Sequence, residues 1–243
     1  MPLARRSSIA VLAASVALAA CFAALGRWQW ERADEARRLH ASFAAGGELP
    51  PLERVPRDAD AGGLRYREAE IDGHYEPRLQ FLLDNRVHAG RVGYEVLTPF
   101  RAAGVSRLLL VNRGWVPAGA DRGTLPDVRV DAQERRVRGR IDKLPRPGLV
   151  LAPPVPDRPI AGVAVVSYPT AAQIAAALGG ATFDYQLLLD PGAADGYVRD
   201  WRVAGPAPER NMAYAGQWFL LAATTVVIGG GLAWRLQRGA RTP

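Results

Sequence analysis

The chain of 243 residues is 49% hydrophobic and 23% charged, with 31 basic against 24 acidic side chains and a formal charge of +7. Cys21 is its single cysteine, which excludes an internal disulfide, a CxxC redox pair, a CxxCH haem attachment and a thiolate copper site. Arg5, Arg6, Arg235, Arg238 and Arg241 stand at the two ends beyond every acidic residue, leaving 26 basic against 24 acidic residues elsewhere, so the basic character marks orientation in a membrane and not nucleic-acid binding.

After a cytoplasmic stretch over 1–8, Ile9 to Leu25 is apolar or small apart from Ser15, and Arg27, Trp28 and Trp30 close it off. This predicts a first transmembrane helix over 9–30. The same residues admit a cleaved signal peptide, or a lipoprotein box at Leu18-Ala19-Ala20-Cys21 that would lipidate Cys21. The apolar run continues through Phe22, Ala23, Ala24 and Leu25, which favours a retained helix. The first eight residues are too short for an amphipathic transit peptide, so a mitochondrial location is not expected. Arg27 with Glu31 and Asp34 with Arg38 are opposite charges at i,i+4, and neither Gly nor Pro intervenes before Gly46, so the helix is expected to continue outward as a solvated stalk. Gly46 through Gly63, with Pro50, Pro51 and Pro56, reads as a loop.

From Leu64 the hydrophobic period changes to two. Ala69, Ile71, Gly73 and Tyr75 alternate with charged residues, as do Val92, Tyr94 and Val96, then Val137, Gly139 and Ile141, then Phe183, Tyr185, Leu187 and Leu189. These are half-buried strands, whereas Phe81-Leu82-Leu83 and Leu108 to Val111 are unbroken runs suited to strands covered on both faces. Thr170 to Leu178 is the one good helix of this region, started at Pro169-Thr170 and stopped at Gly179-Gly180. Leu144 to Pro159 carries six prolines in sixteen residues, too many missing donors for a ladder or helix, and reads as an irregular surface excursion.

Ala213 to Trp234 is membrane-length, reaching about 33 Å at the helical rise, with no Asp, Glu, Lys or Arg. It predicts a second transmembrane helix over 211–234 and a cytoplasmic tail over 235–243. Both arginine clusters then share one side, so residues 31–210 form a single extracytoplasmic domain. The expected fold is an α+β membrane protein, an antiparallel β-sheet or barrel-like domain between two transmembrane helices. Ala13, Ala17, Ala20 and Ala24 make a small-residue stripe on the first helix, and Ala222, Thr225, Gly229 and Ala233 another on the second, so the helices are expected to approach closely. Gln217, the only amide between Ala213 and Trp234, is expected to find a protein or ligand partner.

His40, His74 and His88 lack metal-site spacing, and neither a Gly-x-Ser-x-Gly elbow nor a phosphate loop is present, so nothing points to an enzyme. Short dense phrases stand out instead: Leu25-Gly26-Arg27-Trp28-Gln29, Asp84-Asn85-Arg86 followed by Gly93-Tyr94, Asn112-Arg113-Gly114-Trp115, and Asn211 to Phe219 with Tyr214. Asn85-Arg86 and Asn112-Arg113 are read as ending apolar strands with an amide and a guanidinium fork that satisfy turns or hold a carboxylate.

In the order and spacing of these phrases the chain, from about Leu25 to Leu221, resembles the surfeit locus protein one family of cytochrome oxidase assembly factors. The resemblance implies a bacterial plasma-membrane protein with two spans and both termini cytoplasmic. Its role would be to assist haem a insertion into the catalytic subunit of a haem-copper oxidase, as a non-catalytic chaperone in respiratory-chain biogenesis. The partners implied are that catalytic subunit, the haem a synthesis or delivery proteins and membrane lipid. Some bacterial members look like haem a binders, and the alternative is a carrier with its own porphyrin. The family's histidine at the start of the second span reads Met212 here, in Asn211-Met212. The haem site so implied would draw on Met212, Arg210, Gln217 and Trp218, with Arg27 and Trp28 also at the interface, while Trp28 and Gln29 count as a partner or structural motif.

Overall fold

The computed structural model describes residues 3–119, 121, 124–146, 162–203, 205 and 207–239. Its elements in chain order are α1 (Leu3–Ala45), α2 (Asp58–Ala61), β1 (Glu68–Tyr75), β2 (Gln80–His88), β3 (Arg91–Ala102), β4 (Leu108–Pro117), β5 (Arg135–Lys143), β6 (Val163–Val166), α3 (Ala171–Leu178), β7 (Thr182–Leu189) and α4 (Pro208–Gly239). The chain divides into a helical unit, Met1–Ala41 with Val203–Pro243, and a β unit, Ser42–Arg202.

In the helical unit, α1 and α4 are both long and apolar enough to cross a membrane. The stalk expectation is met, because α1 runs unbroken to Ala45 with Arg27–Glu31 at 2.9 Å and Arg38–Asp34 at 3.1 Å on its surface. The seam between the helices is real on α4, where Gly229 and Ala233 are buried and Ala222 and Thr225 half-buried. On α1 it lies elsewhere than expected. Ala13, Ala17, Ala20 and Ala24 are exposed, and Ser8, Ser15, Ala19, Phe22 and Gly26 face α4 instead. A Cβ at Gly229 would strike the Ser15 hydroxyl, one at Gly26 would meet the Phe219 ring at 2.9 Å, and the Ser8 hydroxyl donates to the Ala233 carbonyl at 3.2 Å. Alanines recur all round the apolar part of α1, so size alone carried no information about its facing; Ser8 and Ser15, which need acceptors in an apolar surrounding, do.

The β unit is a seven-stranded sheet in the order β1-β5-β7-β4-β3-β2-β6, and β1 also pairs with β3 at Gly73↔Ala102 through Tyr75↔Phe100. The ring β1-β5-β7-β4-β3 is therefore closed on itself, with β2 and β6 continuing outward from β3. This meets the barrel-like expectation and corrects the all-antiparallel one: β4 with β7 and β2 with β6 run parallel. Strand β6 has only four residues and no alternation to betray it. The Gly46–Gly63 loop also holds the short helix α2 and a bridge between Leu52 and Ala69. The Pro-rich expectation falls largely on 147–161, outside the described residues.

Alternation explains the core. Ile71 and Tyr75, Phe100 and Ala102, Leu109 and Val111, Val137 and Ile141, and Phe183 to Leu189 at every second position fill the ring interior. The opposite face of β2, β3 and β4, carrying Phe81, Leu83, Leu97, Leu108 and Leu110, is covered by Ile174 and Leu178 of α3. That helix is set by its ends: Thr170 makes a capping box with Gln173, and Gly179 takes the left-handed conformation at the C-cap.

Candidate functional site

Asn85-Arg86 and Asn112-Arg113 were expected to end strands; both lie inside strands, at bulges on either side of β3. Between Leu83↔Glu95 and Arg86↔Gly93, β2 spends one residue more than β3, and Asn85 takes φ 57°. Between Leu97↔Asn112 and Glu95↔Trp115, β4 likewise carries one extra residue, and Gly114 takes φ 109°. An extra residue reverses the in-out alternation. Without the bulges, Arg86 would share the face of Leu82, and Trp115 that of Leu109 and Val111. With them, Arg86, His88, Gly93, Glu95, Asn112 and Trp115 join one outer face, continuous with the apolar patch under α3.

That face is held together by its polar groups. The Asn112 amide donates to Glu95 Oε2 at 2.8 Å and Gln186 Oε1 at 3.2 Å and accepts from the Gly114 amide at 3.2 Å, while Gln186 donates to the Lys143 carbonyl at 3.0 Å. Asn112 and Gln186 are buried, so the network satisfies groups that would otherwise be costly. Gly93 is required by closeness: a Cβ there would strike the Val116 carbonyl and stand 2.6 Å from the Trp115 ring. That ring fills the space, donating from Nε1 to the Arg86 carbonyl at 2.9 Å and lying 5.3 Å from the His88 ring. The Arg86 guanidinium lies 5.5 Å from the Tyr168 ring centroid, and its Nε and Nη2 are buried without a hydrogen-bond partner. Tyr94 points to the other face and is buried with Val96, Val116 and Val128.

Arg113 stays on the inner face by plain alternation after Leu109 and Val111, and two of its nitrogens are employed. Its Nε donates to the Asp195 carbonyl at 2.9 Å and its Nη1 to the Val128 carbonyl at 3.1 Å. It borders a cleft of about 570 Å³ lined also by Arg129, Arg135, Asp127, Asp131 and Asp195. Charge there is balanced, with Arg129 on Asp127 at 2.6 Å and Arg135 on Asp195 at 2.6 Å; the Arg129 guanidinium holds the Asp127 carboxyl down at about 2. Tyr75 lies with the Arg113 and Arg135 guanidinia 5.6 and 5.0 Å from its ring centre, and its buried hydroxyl has no partner; burial pushes its pKa up to about 12. The signal that sequence reading missed is the period-two pattern around Tyr75 meeting a chain-distant Arg135 and Asp195.

On α4 the residues of the implied haem site do not converge. At roughly 100° per residue, Arg210, Tyr214, Gln217 and Trp218 fall within an arc of about 100°, Trp218 at its edge next to Tyr214, and Met212 is on the far side from Arg210. Arg210, Tyr214 and Gln217 are exposed, and Trp218 packs on Phe22 of α1 at 5.7 Å between ring centres. Met212 and Asn211 are half-buried, Trp28 is exposed and Gln29 half-buried. Gln217 makes no hydrogen bond among the described residues, so the partner expected for it is not found in α1. His74 meets Glu134 at 2.9 Å, an acidic neighbour invisible in its local sequence. No cluster of three or more His, Cys, Asp or Glu able to hold a metal occurs among the described residues.

A family model described as the SURF1 family matches residues 16–223. Among curated proteins, a SURF1-like protein of Monosiga brevicollis is 29% identical over 38% of this chain and 40% of its own length. An uncharacterized SURF1-like protein of Mycobacterium tuberculosis strain H37Rv is 28% identical over 50% of this chain and 46% of its own. Surfeit locus protein 1 of Mus musculus is 26% identical over 49% of this chain and 41% of its own. The chain thus covers less than half the length of the curated relatives it matches.

Proposed function

The chain belongs to the SURF1 family, and from that premise we propose that it is a non-catalytic assembly factor for haem-copper cytochrome oxidase, assisting haem a insertion into the catalytic subunit. In this reading α1 and α4 anchor it in a bacterial plasma membrane with both termini cytoplasmic, and the β unit works outside, where the oxidase subunit and the haem a delivery proteins are met. The family match is the observation that carries it, because residues 16–223 reach into both apolar helices and take in every strand of the described residues.

Met212 stands on the opposite side of α4 from Arg210, which does not fit a resident porphyrin ligated by Met212 and held by Arg210, so the reading is of a protein that holds its partners and not of a haem carrier. A strain lacking the chain is expected to lose the haem a absorbance of its oxidase while other cytochromes persist; a normal oxidase spectrum refutes the assembly role. Purified from cells making haem a, the chain is expected to be colourless. A stoichiometric Soret band lost in Met212→Ala would establish the carrier instead.

A further inference from the structure

Among the described residues of the outer face, Arg86 presents a buried guanidinium edge that no acceptor answers. Its backbone is fixed by the bulge at Asn85 and by the Trp115 indole on its carbonyl. Its guanidinium offers two buried, unpartnered nitrogens, Nε and Nη2, which form the side-on edge of the fork, the pair that grips both oxygens of one carboxylate. Other buried or half-buried arginines of the β unit are answered. Arg113 has two carbonyls, Arg107 has Asp58 and the Thr182 carbonyl, and Arg140 has the Phe43 carbonyl and Glu68. Among the described residues, Arg67 shares the trait at one atom only, its Nη2 donating to the Pro50 carbonyl at 2.8 Å. A buried cation edge without a partner is destabilising.

The surroundings decide what would answer it. Tyr168, 37% exposed, lies against the guanidinium. Val87 and Val92, the next cross-strand pair, alternate to the opposite face of the sheet, while Arg91, paired with His88, is exposed on the face of Arg86. A charged fork with a partly exposed aromatic ring against it is the make-up of a protein contact, with an arginine and a tyrosine as anchors.

We propose that Arg86 is the anchor of a docking site for a partner polypeptide, whose Asp or Glu carboxylate enters beside Tyr168 and accepts two hydrogen bonds from Nε and Nη2. The site is independent of the oxidase reading, since it specifies the partner by chemistry alone.

The test uses the full chain in nanodiscs of neutral phosphatidylcholine, with a fluorescent peptide of alternating leucine and glutamate and its leucine–glutamine counterpart as probes. The glutamate peptide is expected to bind at least tenfold tighter. Arg86→Lys, which keeps the charge and loses the fork, is expected to abolish that preference, and Arg91→Lys to leave it. Arg86→Met removes the unanswered charge, so it should abolish the preference while leaving the melting temperature unchanged or raised. Equal binding of the two peptides by the parent chain overturns the proposal, as does an unchanged preference in Arg86→Lys. A lowered melting temperature in Arg86→Met assigns Arg86 a structural role and also overturns it. So does a preference for anionic lipid vesicles over both peptides that depends on Arg86.

Discussion

Gly114→Ala tests the bulge that orders the outer face. At φ 109° an L-residue is strained, by about 1–3 kcal/mol. The added Cβ would also stand 2.6 Å from the Val198 carbonyl and 2.8 Å from Cγ of Arg199, contacts that force the 197–199 segment away from β4. That segment is held by the Trp115 amide to the Val198 carbonyl at 2.7 Å and the Val198 amide to the Trp115 carbonyl at 3.1 Å, together worth about 2 kcal/mol. The sum is about 3–5 kcal/mol, or roughly 6–20 °C in melting temperature for a chain of this size. Thermal unfolding of the full chain in detergent, followed by tryptophan fluorescence, reads it. Gly104→Ala is the control, because φ there is 72° and nothing lies within 4 Å, so strain alone should cost about 1–2 kcal/mol. If Gly114→Ala melts with Gly104→Ala or above it, the close approach at the bulge does not carry the energy assigned to it.

Tyr75 should titrate near pH 12 by ultraviolet absorbance. Its folded pKa is raised, so its contribution is fully present below pH 10 and is lost as pH rises from 10 through 12, a fall of about 2–3 kcal/mol that Tyr75→Phe should remove from denaturant curves; titration near 10 would count against the burial argument. Asn112→Asp sets a second carboxylate against Glu95 and should destabilise by about 2–4 kcal/mol at neutral pH, with the loss shrinking as pH falls below 5; a loss independent of pH would show that the two groups do not face each other. Gly229→Leu should disrupt the helical unit, raising protease sensitivity of α4, whereas Gly230→Leu, with open space around it, should not; equal behaviour of the two would contradict the Ser15–Gly229 seam.

What the chain order alone determined is what local periodicity controls. The long apolar helices, the strands at Ala69–Tyr75, Val92–Val96, Val137–Ile141 and Phe183–Leu189, and the capped helix at Thr170 follow from the spacing of residues a few positions apart, although the last strand is buried on both faces and not half-buried as its alternation suggests. The phrases around Asn85-Arg86 and Asn112-Arg113 were visible as chemistry, but their role was not. Whether such a pair ends a strand or bulges within it depends on how many residues the neighbouring strand spends over the same length. Only the register against β3 decides that, and with it the face on which Arg86 and Trp115 emerge. Closure of the ring through β1 and β3, the two parallel pairings and the meeting of Tyr75 with Arg135 and Asp195 are likewise long-range. Each joins residues distant in the chain, and their selection rests on the burial of a shared interior that no segment possesses by itself.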